Sequence, residues 1–127
     1  MSFYFLVLDT NDQFEALICE EQSIDLALIS ALLRTSRLAA SPPVHDGLLL
    51  WIDASQGARR REPNGRACIL FSHLYGTRDP LVYGPLIVTG GTPEQPEALS
   101  LVRVDAALRD LFGIERGHDD PRQDGPS

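Results

Sequence analysis

The sequence predicts an α+β fold: a small, mainly antiparallel sheet packed against one main helix, with a short C-terminal helix. Three observations carry that expectation. "FYFLVLD" (3–9), rich in β-branched and aromatic residues, is followed by the turn signal "TND" and by "FEALICE" (14–20), which can return as a second strand, so the two read as a hairpin. The segment "IDLALISALLRTSR" (24–37) then repeats apolar residues at helical spacing. Beyond it, short apolar runs alternate with Gly- and Pro-rich breakers, the pattern of strands joined by loops.

Taken in order, the hairpin is followed by a helix expected over Ser23 to Thr35. The Ser23 hydroxyl can accept from first-turn amides, and Asp25 suits the positive end of the helix dipole. Ile24, Leu28, Ala31 and Leu32 share a face that Leu26, Ile29 and Leu33 widen. A face that broad places the helix in the core or in a dimer contact, and the core is the expectation. Residues 39–47 form a connector, and "LLLWID" (48–53) a buried strand. "ASQGARRREPNG" (54–65) is a polar turn or hairpin loop. Residues 67–75 fit either a strand, Ala67 to Phe71, or a helical turn ending at Gly76. "LVYGPLIVTGG" (81–91) is a strand broken at Gly84-Pro85, because proline removes a ladder donor. Asp105 is the expected N-cap of the last helix and Gly113 its terminator. One domain, residues 1–114, is expected, with a flexible acidic tail over 115–127 that lacks periodic apolar content.

Composition narrows the function classes. Of 127 residues, 43% are apolar, which suits a globular chain, and no apolar run is long enough for a membrane span. The N-terminus has no basic region before its apolar stretch and reads as a strand, not a signal peptide. Cys19 and Cys68 sit in apolar contexts and are expected as buried thiols rather than a disulfide, in a cytoplasmic setting. The net charge of −7 argues against direct nucleic-acid binding, which requires many cations against phosphates. It is compatible with a basic partner or with imitation of a polyanion.

Catalytic patterns fail on their own spacing. The glycines of "YGPLIVTGGT" are not followed by Gly-Lys-Ser/Thr, so they are turn glycines rather than a phosphate loop. His45, His73 and His118 are scattered, and with Cys68 they do not assemble a four-ligand metal set. Ser72 and His73 are adjacent, which on a strand points them to opposite faces. Glu20-Glu21 and Asp119-Asp120 are most simply solvated charge. The expectation is therefore a non-enzyme with no metal and no cofactor.

One cluster stands out. Arg59, Arg60, Arg61 and Arg66 bring four of the eleven basic residues into eight positions, around Pro63-Asn64-Gly65. Arginine forks hold carboxylates and phosphates, so Arg59, Arg60, Arg61, Asn64 and Arg66 are the candidate binding residues. The competing reading makes Arg59 to Arg61 exposed loop charge paired with local acids such as Glu62.

The order of "HDGLLLWID", "REPNGRAC", "YGPLIVTGG" and "DAALRDLF" resembles a family of small domains of unknown function common in bacteriophages and plasmids. Its pattern is a strand pair, a helix, a "DGLxLxxD" strand, a Pro-Asn-Arg segment, a "GPxxVxG" strand and a short helix. The resemblance covers residues 3 to 113, and the order of the motifs carries it. The chain departs from it at Gly65, which separates Asn64 from Arg66. What the resemblance implies is an accessory protein of a mobile element that binds a host factor or defence system. The function expected is thus non-enzymatic protein binding, with an unidentified protein partner and a homodimer admitted. Two alternatives stay open: an anion- or nucleotide-binding module built on the Arg-rich loop, and an acidic nucleic-acid mimic.

Overall fold

The hairpin of the first nineteen residues sets the sheet. In a computed structural model, which describes residues 2–44, 47–76 and 82–114, β1 (Phe3–Leu8) pairs antiparallel with β2 (Phe14–Cys19). Their turn closes with the Asp12 N–H donating to the Asp9 carbonyl at 3.2 Å, and Asp12 takes the left-handed conformation, φ 65°. Asp tolerates that region better than most residues because its short side chain bonds locally. The other strands are β3 (Leu38–Ala40), β4 (Leu49–Asp53), β5 (Leu86–Gly91) and β6 (Pro96–Glu97). The sheet runs β2-β1-β5-β4-β3, every pairing antiparallel, with β6 added beside β5. The α+β class and the antiparallel sheet are as the sequence predicts.

The central strands are buried on both faces, which is why they read as unbroken apolar runs rather than as alternation. Leu6, Leu8, Leu50, Leu86 and Val88 point to one face. Phe5, Leu49, Trp51 and Ile87 point to the other. The register stacks Leu6, Val88 and Leu50 in one row and Val7, Ile87 and Trp51 in the next. The Trp51 indole N–H is satisfied by the buried Thr89 hydroxyl at 2.8 Å.

Among the described residues three α-helices cover the two faces. α1 (Leu26–Leu33) lies on the Trp51 face, and α2 (Gly65–Tyr75) and α3 (Leu101–Phe112) lie on the Leu50 face. Several sequence expectations are corrected here. α1 is not the central core helix: it buries only Ile29 and Leu33, while Leu26 and Leu28 stay exposed. Its cap is Asp25, whose carboxylate accepts from the Ala27 N–H at 2.9 Å. Ser23 is instead held in a bridge to Glu97, because the Ile24 N–H donates to Pro96 O and the Ala98 N–H to Gln22 O. α1 also stops at Leu33, with Arg34 left-handed at φ 55°. Residues 39–40, expected as the start of the connector, belong to the strand Leu38–Ala40, and β6 follows the turn after Gly91.

The ambiguous stretch 67–75 is helix. Asn64 caps it, and Gly76, at φ 65°, ends it. α3 begins at Leu101, not after Asp105, with Ser100 as its cap. Leu101 and Val102 are exposed, so the apolar look of "LSLVRV" does not mark a buried strand; Val104, Ala107 and Leu108 form the packed stripe. The expected break at Gly84-Pro85 holds: Gly84 has φ +78° and β5 starts after it, at Leu86. The expected tail, 115–127, lies outside the described residues.

Candidate functional site

The segment carrying the candidate residues splits into three environments. Residues 56–60 form a short 3-10 helix that follows β4. Arg60 on it is exposed, and the side chain of Arg59 lies outside what the structure describes. Arg61 turns inward. Pro63 then bridges Tyr83, with the Asn64 N–H donating to Val82 O at 2.8 Å and the Gly84 N–H to Glu62 O at 2.9 Å. That clamp delivers Asn64 to the start of α2.

Asn64 is fully buried. Its Nδ2 donates to Leu8 O at 3.1 Å and to Gly84 O at 3.0 Å, and its Oδ1 accepts from the Ala67 N–H at 3.2 Å. One side chain thus ties the end of β1, the approach to β5 and the first turn of α2. The Pro63-Asn64-Gly65 stretch reads from sequence as a turn; it holds a helix cap whose Asn64 is buried while Pro63 and Gly65 are exposed.

Arg61 corrects the reading that makes Arg59 to Arg61 exposed loop charge. Its Nη1 donates to Asp53 Oδ2 at 3.0 Å and to Leu33 O at 2.5 Å. Its guanidinium lies flat against Gly84, where an added Cβ would stand 3.0 Å from Cζ. Its Nη2 is buried and finds no acceptor among the described residues. The partner is Asp53 at the end of β4, not Glu62, whose carboxylate accepts from the Thr10 hydroxyl at 3.3 Å. Burial pushes the Asp53 carboxyl up. Hydrogen bonds from the Ser55 N–H, the Ser55 and Thr35 hydroxyls and Arg61 outweigh that push, and the carboxyl is held below its ordinary value. A cleft of about 610 Å³ opens beside this pair, walled by Asp9 and Thr10 after β1, by Arg34 and by Glu62. Within it Arg61 is already paired with Asp53.

Arg66 leads to a different place. It lines a groove of about 520 Å³ between α2 and α3, with Asp12, Ile69, His73, Leu111 and Phe112. Its guanidinium sits 5.5 Å over the Phe14 ring, which meets Phe112 edge-on at 4.8 Å. Arg66 Nε lies 3.7 Å from Asp12 Oδ1, with both side chains substantially exposed. A pair that open contributes about 0–1 kcal/mol. Ile69 is 72% exposed in the groove wall, and the first turn of α2 carries no acidic residue.

The five candidate residues therefore do not converge. Asn64 and Arg61 are engaged inside the fold, Arg60 is on the surface, and of the candidates whose side chains are described Arg66 alone borders the α2–α3 groove. Sequence reasoning did not single out Asp53, although it closes both the run "LLLWID" and the "DGLxLxxD" strand pattern, and it missed the groove residues Ile69, Leu111 and Phe112. Their grouping depends on how α2 and α3 dock, and no local pattern records that.

Cys19 and Cys68 are free and half-buried. Burial pushes the Cys19 thiol up, away from a reactive thiolate. Cys68 Sγ accepts from the Val82 N–H at 3.1 Å, a structural use. Among the described residues no group of three His, Cys, Asp or Glu side chains is placed to hold a metal ion, and no helix is long and apolar enough to cross a membrane. No family model, curated protein or solved structure matches the chain.

Proposed function

We propose that the chain is a non-enzymatic protein-binding module whose contact face is the α2–α3 groove, receiving a partner segment that combines an apolar side chain with a carboxylate. The observation that carries this reading is Ile69, 72% exposed in a groove that ends at Arg66. A large aliphatic side chain in a concave wall gains from being covered. Arg66 supplies a bidentate fork whose present carboxylate, on Asp12, is loosely held and exchangeable. The positive end of the α2 dipole adds to it. The order of sequence motifs supports placing the module among accessory proteins of phages or plasmids, acting in the cytoplasm on a host factor or defence system.

Peptide display against the full chain is expected to enrich segments that carry an aliphatic or aromatic residue near Asp or Glu. Ile69→Glu should abolish their binding with the melting temperature unchanged, and Arg66→Glu should abolish it as well. Failure to enrich any such segment, or binding that survives both substitutions, would overturn the reading. A nucleotide that raised the melting temperature, with the shift lost in an Arg60→Ala, Arg61→Ala, Arg66→Ala variant, would favour the anion-binding alternative. That alternative requires Arg61 to leave Asp53 and Leu33.

A further inference from the structure

We propose that the chain forms a two-fold symmetric dimer in which β2 of one protomer pairs antiparallel with β2 of a second copy, centred on Ala16. Among the described residues the sheet ends at β2 on one side and β3 on the other, and the two edges are built differently. β3 is three residues long and runs into the exposed Pro42-Pro43. Short length and proline are how native sheets blunt an edge. β2 is six residues long, holds no proline and no basic residue, and displays Ile18 at 72% exposure. Among the described residues nothing but β1 pairs with it.

The direction of its free backbone groups follows from the turn. The Asp9 N–H donates to Gln13 O at 2.9 Å, which makes Asp9 and Gln13 a hydrogen-bonded pair. In an antiparallel ladder such pairs recur at every second position. Val7–Glu15, Phe5–Leu17 and Phe3–Cys19 are therefore the bonded pairs of the hairpin. Tyr4 agrees, since its N–H and C=O bond to Leu99 on the far side of β1. Phe14, Ala16 and Ile18 consequently direct their N–H and C=O groups to the open edge.

A second β2 with Ala16 opposite Ala16 matches that phase and pairs all three outward residues. A shift by one residue would oppose positions whose groups point inward, and a shift by two would leave part of each strand unpaired. In this register Phe14 stands opposite the partner's Ile18, and the contact occurs twice. Phe14 and Ala16 pack with the α2/α3 side of the sheet and Leu17 and Cys19 with the α1 side, so Ile18 also projects on the α2/α3 side. The pairing thus covers an exposed Ile18 with an aromatic ring. Glu15 falls opposite Leu17, so the two Glu15 carboxylates do not meet head-on. The axis is perpendicular to the sheet and leaves both α2–α3 grooves open on one side. Because each protomer carries −7, self-repulsion opposes assembly and salt should strengthen it.

Light scattering on the full chain over a concentration series, at physiological and at higher salt, should show a dimer that tightens with salt. Ile18→Lys, at an exposed position, and Ala16→Pro, which removes an outward N–H, should both yield monomers. Ile18→Lys should leave the melting temperature of the monomer unchanged. Amide exchange adds a readout of register: Phe14, Ala16 and Ile18 should exchange more than about tenfold slower in the dimer than at high dilution. Glu15 and Leu17 should be protected in both. A chain that stays monomeric up to about 1 mM, the weak end of the affinity scale, overturns the proposal. So does a dimer that survives Ile18→Lys, or one in which the three amides exchange at the monomer rate. Ile69→Glu should leave the dimer intact, which separates this surface from the groove.

Discussion

Asn64 shows how much one buried polar side chain can organise. It satisfies two carbonyls and a helix amide from different parts of the chain. Asn64→Ala would leave the carbonyls of Leu8 and Gly84 without their donor and α2 without its cap, a loss of about 3 kcal/mol when cap and desolvation terms combine. Urea unfolding measures it directly. Asn64→Asp is more diagnostic. The carboxylate keeps the cap but sets negative charge against two carbonyl oxygens; protonation restores one donor. The destabilisation of Asn64→Asp relative to wild type should therefore shrink as pH falls through the acid range, while that of Asn64→Ala stays flat. The Asp53–Arg61 pair makes a second pH argument. The folded-state pKa of Asp53 is lowered, so its contribution is fully present above the ordinary carboxylate range and is lost as pH falls through the lowered value. Arg61→Ala leaves a nearly buried carboxylate unpaired and should cost about 3 kcal/mol at neutral pH. That deficit should diminish on acidification, because the Asp53 carboxyl then protonates. A deficit independent of pH would sink the electrostatic account.

Each element has a boundary that sequence and structure place differently, and the differences have one cause. Capping residues recur: Ser23 and Asp25 before α1, Ser100 and Asp105 around α3, and Asn64 before α2 all carry the right side chain. Which one is used depends on distant partners. Ser23 is taken by Glu97, so Asp25 caps; the Asn-Gly pair that signals a turn becomes a cap because Leu8 and Gly84 hold Asn64. The hairpin, the β4 and β5 runs and the break at Gly84-Pro85 were legible because apolar runs, breaker residues and turn chemistry are local. The groove and the Asp53–Arg61 pair were not, because they require the docking of elements far apart in the chain. Ser100→Ala tests the α3 boundary: its hydroxyl accepts from the Arg103 N–H at 3.3 Å, and its removal should cost about 1 kcal/mol in thermal or urea unfolding. No loss would place the start of the helix elsewhere. Gly91 makes a sharper case at the β5–β6 turn. It has φ +80°, and an added Cβ would stand 2.4 Å from Gln95 O and 2.7 Å from the Glu97 N, both backbone atoms. Gly91→Ala should cost about 2 kcal/mol or more, and a neutral result would mean that the turn rearranges freely.

The whole molecule is two half-cores of unequal size sharing one sheet. Among the described residues, thirteen buried apolar side chains belong to the face under α2 and α3, and eight to the face under α1. Of α1 only Ile29 and Leu33 are fully buried in its half, with Leu32 packed partly against it, and an eight-residue helix is marginal without tertiary packing. β5 lies between β1 and β4, with Leu86, Ile87 and Val88 fully buried across both faces. Opening β5 therefore exposes both cores at once and amounts to global unfolding, whereas lifting α1 exposes one face alone. Native-state hydrogen exchange should resolve the two. Amides of β5 should exchange only through the global transition, with a free energy equal to that from denaturant melts. Amides in α1 should exchange through a smaller opening at lower free energy, insensitive to low denaturant. Leu33→Ala should lower the α1 opening energy by about 2–5 kcal/mol, the usual cost of a buried Leu truncation, and the global value by the same amount, because α1 is lost in both openings. Leu70→Ala, on the opposite face, should lower only the global value. If α1 and β5 amides exchange with one common free energy, the two halves melt as a single unit, and the unequal distribution of buried side chains has no energetic consequence.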